Sequence, residues 1–208
     1  MFPVQHVMFR NITEKEYQDM ELCRGIRTAE YEKGCVLFHA GDCTEEFGIV
    51  IFGKVHIENI DLWGNRVILH SLSANDAFGE TYAFCNVPML VDVTTAQDCK
   101  ILFLNTAILL SPEYHGRSWY FKLINNLLFL STQKNLAWSN RIFCMTAKSI
   151  RAKVMTFLSA EARKHGNKEF FVPFDRQQMA DYLNVGRTAL TKELGKMKDF
   201  ILKMQEEK

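Results

Sequence analysis

The sequence predicts an α+β protein that begins as an antiparallel β jelly roll, continues into one long helix and ends in a helix-turn-helix. Three observations support this fold class. Glycines and short apolar runs are concentrated in the first half of the 208 residues, as is typical of antiparallel strands. After Pro112, apolar side chains recur at steps of three and four, as on one face of a helix. Near the C-terminus, two short helical patterns flank an Asn-Val-Gly turn.

The glycine-rich half predicts the strands of the roll. Six of the eleven glycines lie between Gly34 and Gly79, where they separate short apolar runs. Such runs, bounded by Gly, Asp and Asn, indicate antiparallel strands whose spacing favours a jelly roll over residues 1–115. Gly64 and Asn65 take positive φ readily, so we predict a tight hairpin turn there. The predicted strands cover residues 35–38, 48–52, 55–60, 67–72, 91–95 and 100–105.

Residues 116–145 are predicted to form a helix of about 25 residues, longer than the globular norm. Its apolar stripe has an average period of about 3.5, which matches a coiled-coil seam. Asn135 lies on that stripe, where a polar side chain fixes the register of paired helices but is costly in a monomer core. We therefore expect a homodimer; packing on the roll of the same chain is the alternative. The predicted dimer seam consists of Phe121, Ile124, Leu128, Ser131, Asn135, Trp138 and Ile142.

Charge divides the chain into two unlike parts. Residues 1–145 carry 12 Lys or Arg against 16 Asp or Glu, whereas residues 146–208 carry 13 against 8. This asymmetry indicates that only the third predicted domain, residues 146–208, meets a polyanion. No apolar run approaches the length of a membrane span, and no signal-peptide pattern opens the chain, so we expect a cytoplasmic protein without membrane contact.

The segment 174–194 carries the pattern of a helix-turn-helix. Asp175 and Gln178 form a capping-box pair that opens a short helix, and Asn184 can take the left-handed conformation that ends it. The second helix is expected to bury Leu190 and Leu194 and to turn a polar, basic face outward. Two short helices joined by so tight a turn are typical of DNA-binding proteins.

In this motif the start of the second helix reaches base edges in the major groove of double-stranded DNA, while the first helix crosses the phosphate backbone. Arg187 is predicted to pair with O6 and N7 of a guanine. Arg176 and Gln177 are expected to hold phosphates through their side chains and through the free amides of their helix terminus. The predicted DNA-binding residues are Arg176, Gln177, Arg187, Thr188, Thr191 and Lys192.

The order of these parts resembles the CRP/FNR family of bacterial transcription regulators. The resemblance covers nearly the whole chain and rests on Lys33-Gly34, Ala40-Gly41-Asp42 and Phe78-Gly79-Glu80 in the roll, and on residues 175–194. It implies a homodimer that binds a palindromic operator and recruits or blocks RNA polymerase. It also implies that Arg187 is the main base-contacting arginine, with Lys192 where the family often has a second one.

The resemblance fails at one position of the effector pocket. In cyclic-nucleotide members, the Gly-Glu pair is followed further along by an arginine that binds the cyclic phosphate. Here that segment reads Pro-Met-Leu-Val at 88–91, and residues 67–99 contain no Lys or Arg. Burying a phosphate without a cation is strongly disfavoured, so we expect an unidentified small effector other than cyclic AMP, and no identified cofactor. The pocket is expected to involve Phe78, Gly79, Glu80, Met89, Leu90 and Val91.

A second departure leaves other classes of protein open. The family usually has a glycine-containing turn and a β-wing after the second helix, but residues 198–203 read Lys-Asp-Phe-Ile-Leu-Lys. A regulatory roll with a vestigial helix-turn-helix is therefore one alternative. A cupin-like metalloenzyme is the other, but it needs closely spaced ligands. His56 and His70 could face each other across a hairpin without a third ligand. With no Cys-x-x-Cys or catalytic motif, we predict neither a metal site nor an enzyme.

Overall fold

The computed structural model describes residues 6–60, 66–166, 170–172 and 174–206. The chain folds into two compact units, with the boundary after Leu130. That boundary lies inside the predicted dimerisation helix, and the domain limits expected near residues 115 and 145 stay predictions. None of the described helices is long and apolar enough to cross a membrane.

The first unit is built on a roll of eight strands. They are β1 (Ile26–Tyr31), β2 (Val36–Phe38), β3 (Glu46–Phe52), β4 (Val55–Ile60), β5 (Arg66–Leu72), β6 (Ala77–Phe78), β7 (Asp92–Thr95) and β8 (Cys99–Asn105). They form two four-stranded sheets with orders β1-β8-β3-β6 and β2-β7-β4-β5, and every pairing is antiparallel. Most neighbours in each sheet are distant in sequence, which is the wrapped topology of a jelly roll. The predicted fold class is confirmed, while the predicted turn at Gly64 and Asn65 lies outside the described residues.

Seven α-helices accompany the strands in the described parts of the chain. They are α1 (Glu14–Leu22), α2 (Glu80–Cys85), α3 (Ala107–Leu110), α4 (Tyr120–Met145), α5 (Ile150–His165), α6 (Arg176–Leu183) and α7 (Arg187–Glu206). The long helix predicted from the apolar stripe is α4, which has 26 residues. Helix α1 was not predicted: Thr13 caps it in a capping box with Glu16, and Tyr17 and Met20 bury its inner face.

The first part of α4 packs within the first unit. Leu123 is fully buried in the same apolar cluster as Met20. Lys122 Nζ lies 2.7 Å from Glu16 Oε1 on α1, and the buried Asn126 amide donates to the carbonyls of Met8 and Arg10 at 2.9 and 2.8 Å. This segment therefore packs within the same chain, as expected if the helix packs on the roll, and Ile124 of the predicted seam packs against the same apolar cluster. Phe121 and Leu128 of the seam are exposed.

The second unit is helical and has an apolar cluster of its own. Cys144, Val154, Phe157, Met179, Ala180, Leu183, Leu190 and Met197 form this cluster. Helix α5 begins at the capping residue Ser149 and ends at Gly166 in the left-handed conformation. Helix α7 runs from Arg187 to Glu206, so the segment at 198–203 is helical, and no β-wing occurs among the residues described up to 206.

Candidate nucleic-acid interface and effector pocket

The helix-turn-helix is formed by α6 and α7, and its local signals are those of the sequence. The Asp175 carboxylate accepts from the amides of Gln177 and Gln178, both at 2.8 Å. The Gln178 side chain accepts in return from the Asp175 amide at 2.9 Å, which completes the capping box. Asn184 ends α6 with φ of 50°, and Ala180 is fully buried, so α7 can cross α6 closely.

One expectation for the α6 terminus needs correction. The Gln177 amide already donates to Asp175, and its side-chain amide donates to Asp181 Oδ1 at 2.9 Å. This backbone amide is therefore not free to bind a phosphate, because the capping carboxylate satisfies it. Arg176 is exposed and makes no ion pair with any residue that the structure describes. Phosphate contact at this terminus stays a prediction for the two side chains.

Helix α7 separates an apolar side from a polar one. Leu190 is fully buried and Met197 is 9% exposed, whereas Arg187, Thr188, Thr191 and Lys192 are all exposed. The structure thus places all four predicted contacts on the solvent-facing side of one helix. Among the described residues, neither Arg187 nor Lys192 has an ion-pair partner, and the hydroxyl of Thr191 donates to the Arg187 carbonyl at 2.9 Å.

Sequence reasoning missed two further cations on the same helix. Lys196 and Lys198 are exposed, and Lys196 lies 4.0 Å from Glu193, which Arg151 holds at 2.7 Å. Continuing the helical period past Lys192 would have found both. The exposed side of α7 is therefore basic well beyond its first turn.

The residues of the predicted effector pocket are only partly brought together. Phe78 and Met89, each 2% exposed, share an apolar cluster between the sheets, and Val91 packs against that cluster. Gly79 caps α2 with φ of 82°, and Glu80 begins that helix. Leu90, by contrast, is 75% exposed. Of the six expected pocket residues, Phe78, Met89 and Val91 therefore belong to the apolar core or pack against it, while Leu90 faces solvent.

This segment does not fit the phosphate of a cyclic nucleotide. The Met89 amide donates to the Asp42 carbonyl at 2.9 Å, and the Met89 carbonyl accepts from Gly41 at 2.7 Å. The Ala40 amide is bound to the Asp92 carboxylate at 3.1 Å. Three backbone amides of this segment that are capable of donating to a phosphate, those of Ala40, Gly41 and Met89, are thus already engaged, the first of them by an acidic side chain. The side chain at position 89 is a buried thioether, which offers no positive charge to an anion.

The predicted dimer seam lies on the exposed side of α4. Phe121, Leu128, Trp138 and Ile142 are 54% to 68% exposed; Ser131 and Asn135 are exposed as well, and Ile124 is partly buried. A second stripe was overlooked in the sequence although its spacing of seven is visible there: Phe129, Leu136 and Phe143 are 43% to 65% exposed. Apolar surface on this scale is typical of an interaction face.

Features of a metalloenzyme do not assemble among the described residues. No group of three or more His, Cys, Asp or Glu there could hold a metal ion. The pairing of β4 with β5 sets His56 opposite Ser71 and Ile57 opposite His70, so the two histidines do not face each other across the hairpin. All six cysteines are free.

The fold and these surfaces define a class of protein: a sensor-type β-roll followed by a long helix and a helix-turn-helix. Residues 28–111 match the family model of the cyclic nucleotide-binding domain. The roll is therefore similar to a cyclic nucleotide-binding domain in fold and sequence pattern, and the fold that the resemblance to the CRP/FNR family implies is confirmed.

Solved structures share this fold at low sequence identity. A cyclic nucleotide-binding domain from Methylobacillus flagellatus KT superimposes with a TM-score of 0.55 at 17% identity, over 68% of this chain and 78% of that one. FixK2 from Bradyrhizobium japonicum gives 0.50 at 16%, over 84% and 85% of the two chains. The N-terminal domain of a transcriptional regulator from Streptomyces coelicolor A3(2) gives 0.50 at 21%, over 63% and 91%. No curated protein sequence matches the chain significantly.

Proposed function

We propose that the protein is a sequence-specific DNA-binding transcription regulator that acts as a homodimer. The observation that carries this proposal is the exposed basic side of α7, which belongs to a helix-turn-helix whose first helix is capped at both ends. Arg187 and Lys192 project from it without an ion-pair partner among the described residues. Unpaired cations on an exposed helix face are what a phosphate-lined groove attracts.

The proposed recognition divides the contacts by kind. Arg187, near the start of α7, pairs with O6 and N7 of a guanine, while Thr188, Thr191 and Lys192 contact neighbouring bases or phosphates. Arg176 and Gln177 bind the phosphate backbone and set the register of α6. In a homodimer two copies of α7 enter major grooves about 34 Å apart, so the operator is palindromic.

The proposed dimer forms along α4. Its seam positions recur every three to four residues over residues 121–142, and four of them carry exposed apolar side chains. Asn135 on this stripe fixes the register of two parallel helices. By resemblance to the CRP/FNR family, the DNA-bound dimer recruits or blocks RNA polymerase. These assignments are supported by the exposure of the helix face and by the family pattern.

The proposed effector is a small molecule other than cyclic AMP. The pocket segment around Met89 offers apolar surface and engaged backbone groups in place of a phosphate-binding arginine. An uncharged ligand therefore fits the chemistry of this segment better than an anionic one does.

The experiment is selection of duplexes by the full-length protein from a random-sequence library, followed by fluorescence anisotropy with and without cyclic AMP. We expect a palindromic site whose affinity is indifferent to cyclic AMP. Arg187→Ala should lose sequence preference, whereas Arg176→Ala should weaken binding to all duplexes alike. Enrichment of no duplex, or a monomer at micromolar concentration, would contradict the proposal.

The second candidate is a regulatory roll whose helix-turn-helix does not bind DNA. It is favoured by the helical segment that follows Met197, where the related pattern has a wing. The dependence of duplex binding on salt concentration distinguishes the DNA-binding regulator from the regulatory roll, because affinity for DNA falls steeply as salt rises. Duplex binding that is absent at low salt would favour the regulatory roll.

A further inference from the structure

Arg141, near the C-terminal end of α4, is bound to the first helix of the helix-turn-helix. Its Nε donates to the Tyr182 carbonyl at 3.1 Å, and its Nη2 donates to the Asp181 carbonyl at 3.0 Å. Both acceptors lie in the last turn of α6. The guanidinium therefore binds two adjacent carbonyls of α6, although Arg141 and Asp181 are 40 residues apart in the sequence.

Physical chemistry makes this a strong and directional contact. The last carbonyls of a helix have no partner inside the helix, and that end carries a partial negative charge. A cation there is stabilising, and the rigid fork of a guanidinium also fixes the orientation of the two groups it joins. A lysine would supply the charge but not the two-point geometry.

The same guanidinium touches two aromatic rings. Its central carbon lies 5.5 Å from the centroid of Trp138 and 5.7 Å from that of Tyr182, within the range of cation–π attraction. Trp138 stands one turn before Arg141 on α4 and is 54% exposed on the predicted dimer seam. Arg141 thus connects a seam side chain to the end of α6.

We propose that Arg141 is a positioning residue that couples the α4 seam to the orientation of the helix-turn-helix. This inference rests on the proposed function. When the partner helix packs on Trp138, the ring limits where the guanidinium can lie, and the guanidinium limits the end of α6. Because α6 and α7 share one apolar cluster through Ala180 and Leu190, the DNA-contacting face moves with α6.

Lys153 provides a matched control. Its ammonium group donates to the carbonyls of Leu183 and Asn184 at 3.2 and 3.4 Å, so it caps the same end of the same helix. It does so from α5 and has no contact with Trp138. Removing Lys153 takes away a C-terminal cap, whereas removing Arg141 takes away a cap and the connection to α4.

The experiment compares full-length Arg141→Ala, Arg141→Lys and Lys153→Ala with the wild type, each as a dimer by sedimentation and on the duplex that the wild type selects. We expect Arg141→Ala to weaken DNA binding about tenfold, within the usual range of coupling between sites. The fluorescence of Trp138 is isolated by subtracting the signal of the Trp138→Phe protein. We expect this fluorescence to change when DNA is added to the wild type and not to change in Arg141→Ala. Arg141→Lys should show a smaller loss of DNA affinity and a smaller loss of the Trp138 emission change. This variant replaces Arg141→Ala in the test if the alanine variant does not fold. Lys153→Ala should lose comparable thermal stability but keep the affinity and the emission change.

Equal losses of affinity in Arg141→Ala and Lys153→Ala would show that Arg141 is only a helix cap, and would overturn the coupling while leaving DNA binding intact. A Trp138 emission change that persists in both Arg141 variants would overturn it too. A wild type that enriches no duplex would overturn the proposed function and this inference together.

Discussion

Single residues decide what the roll can bind, and position 89 shows this most clearly. Methionine there is 2% exposed and belongs to the apolar cluster between the sheets. Its backbone amide and carbonyl are both engaged with the loop at Asp42 and Gly41. The segment is therefore part of the core, which is the basis of our proposal that it does not serve as a cradle for an anion.

Restoring that arginine is a direct test of this view. Met89→Arg should lower the free energy of unfolding by about 3 kcal/mol, because a buried guanidinium without a carboxylate partner is costly, and should not produce cyclic AMP binding. Urea unfolding and calorimetric titration measure the two effects. Leu90→Arg is the control, since the neighbouring side chain is 75% exposed and should tolerate the charge. A stable Met89→Arg protein that binds cyclic AMP would contradict the argument.

Glu16 gives the N-terminal helix a dependence on pH. Burial alone would raise the pKa of Glu16, but hydrogen bonds from Lys122 and from Thr13 lower this pKa from 4.5 to about 2. The ionised form therefore stabilises the folded protein above about pH 4.5, and this contribution is lost as the pH falls toward about 2. Because the Lys122 side chain is 36% exposed, solvent screens the ion pair, and the contribution is about 2 kcal/mol.

We expect Glu16→Gln to be less stable than the wild type by about 2 kcal/mol at neutral pH, with the difference shrinking as the pH falls below about 4.5. Urea unfolding over a pH series measures the difference. Glu14→Gln, in the exposed first turn of the same helix, should show a much smaller difference. A gap between wild type and Glu16→Gln that did not change with pH would rule out the ion pair as its cause.

At the scale of elements, helix α4 serves two different surfaces. One face packs within the first unit through Leu123 and Asn126, and another exposes the predicted seam. Asn135 lies on the seam, where a polar side chain lowers the affinity of paired helices and restricts their register. In the proposed dimer, this side chain therefore favours one register over the tightest association.

Asn135→Leu should tighten the dimer by at least about tenfold, because two more apolar side chains are buried at the seam. It should also permit higher oligomers, since the polar register signal is lost. Sedimentation equilibrium checks both outcomes. Gln133→Leu makes a comparable change at an exposed position off the stripe and should leave association unchanged. An unaltered dissociation constant in Asn135→Leu would exclude this face as the seam.

At the scale of the whole molecule, charge is separated along the chain. The acidic excess of residues 1–145 and the basic excess of residues 146–208 nearly cancel, leaving a net charge of +1. A polyanion is therefore attracted to the C-terminal part and repelled by the rest. Under the proposed function, this separation favours contact of DNA with α7 over contact with the roll.

Binding to the selected duplex should weaken at least about a hundredfold between roughly 50 and 200 mM salt, as several phosphate contacts require. Anisotropy over a salt series gives the slope of log affinity against log salt. Lys196→Ala and Lys198→Ala should each reduce that slope by about 1 if these cations meet phosphates. Lys100→Ala, in the roll, should leave the slope unchanged. A slope near zero for the wild type would exclude a phosphate-dominated interface.

Much of this architecture is predictable from local pattern. Three of its signals are local: the capping box at Asp175, the left-handed Asn184 and the apolar period of α4. Each involves residues within a few positions of one another, so a single sequence is enough to recognise them. Six of the eight strands were predicted for the same reason, because alternation and turn residues are local signals, whereas β1 and β6 were missed. Helix α1 carries a comparable capping box at Thr13 and Glu16, but its nine residues show little apolar periodicity, and its packing on the roll decides its place.

The sequence by itself determined the class of fold, six of the strands, the long helix and the side of α7 that faces solvent, because these depend on periodicity and on short-range caps. The tertiary structure alone decided how the strands pair across the two sheets, that Met89 is sealed by the loop at Gly41 and Asp42, and that Arg141 grips α6. Those contacts join groups far apart in the chain, so they depend on packing and backbone hydrogen bonding that no local pattern encodes. The engaged Gln177 amide and the second apolar stripe of α4 are different, because both are local features that the sequence already contained and that our reading overlooked.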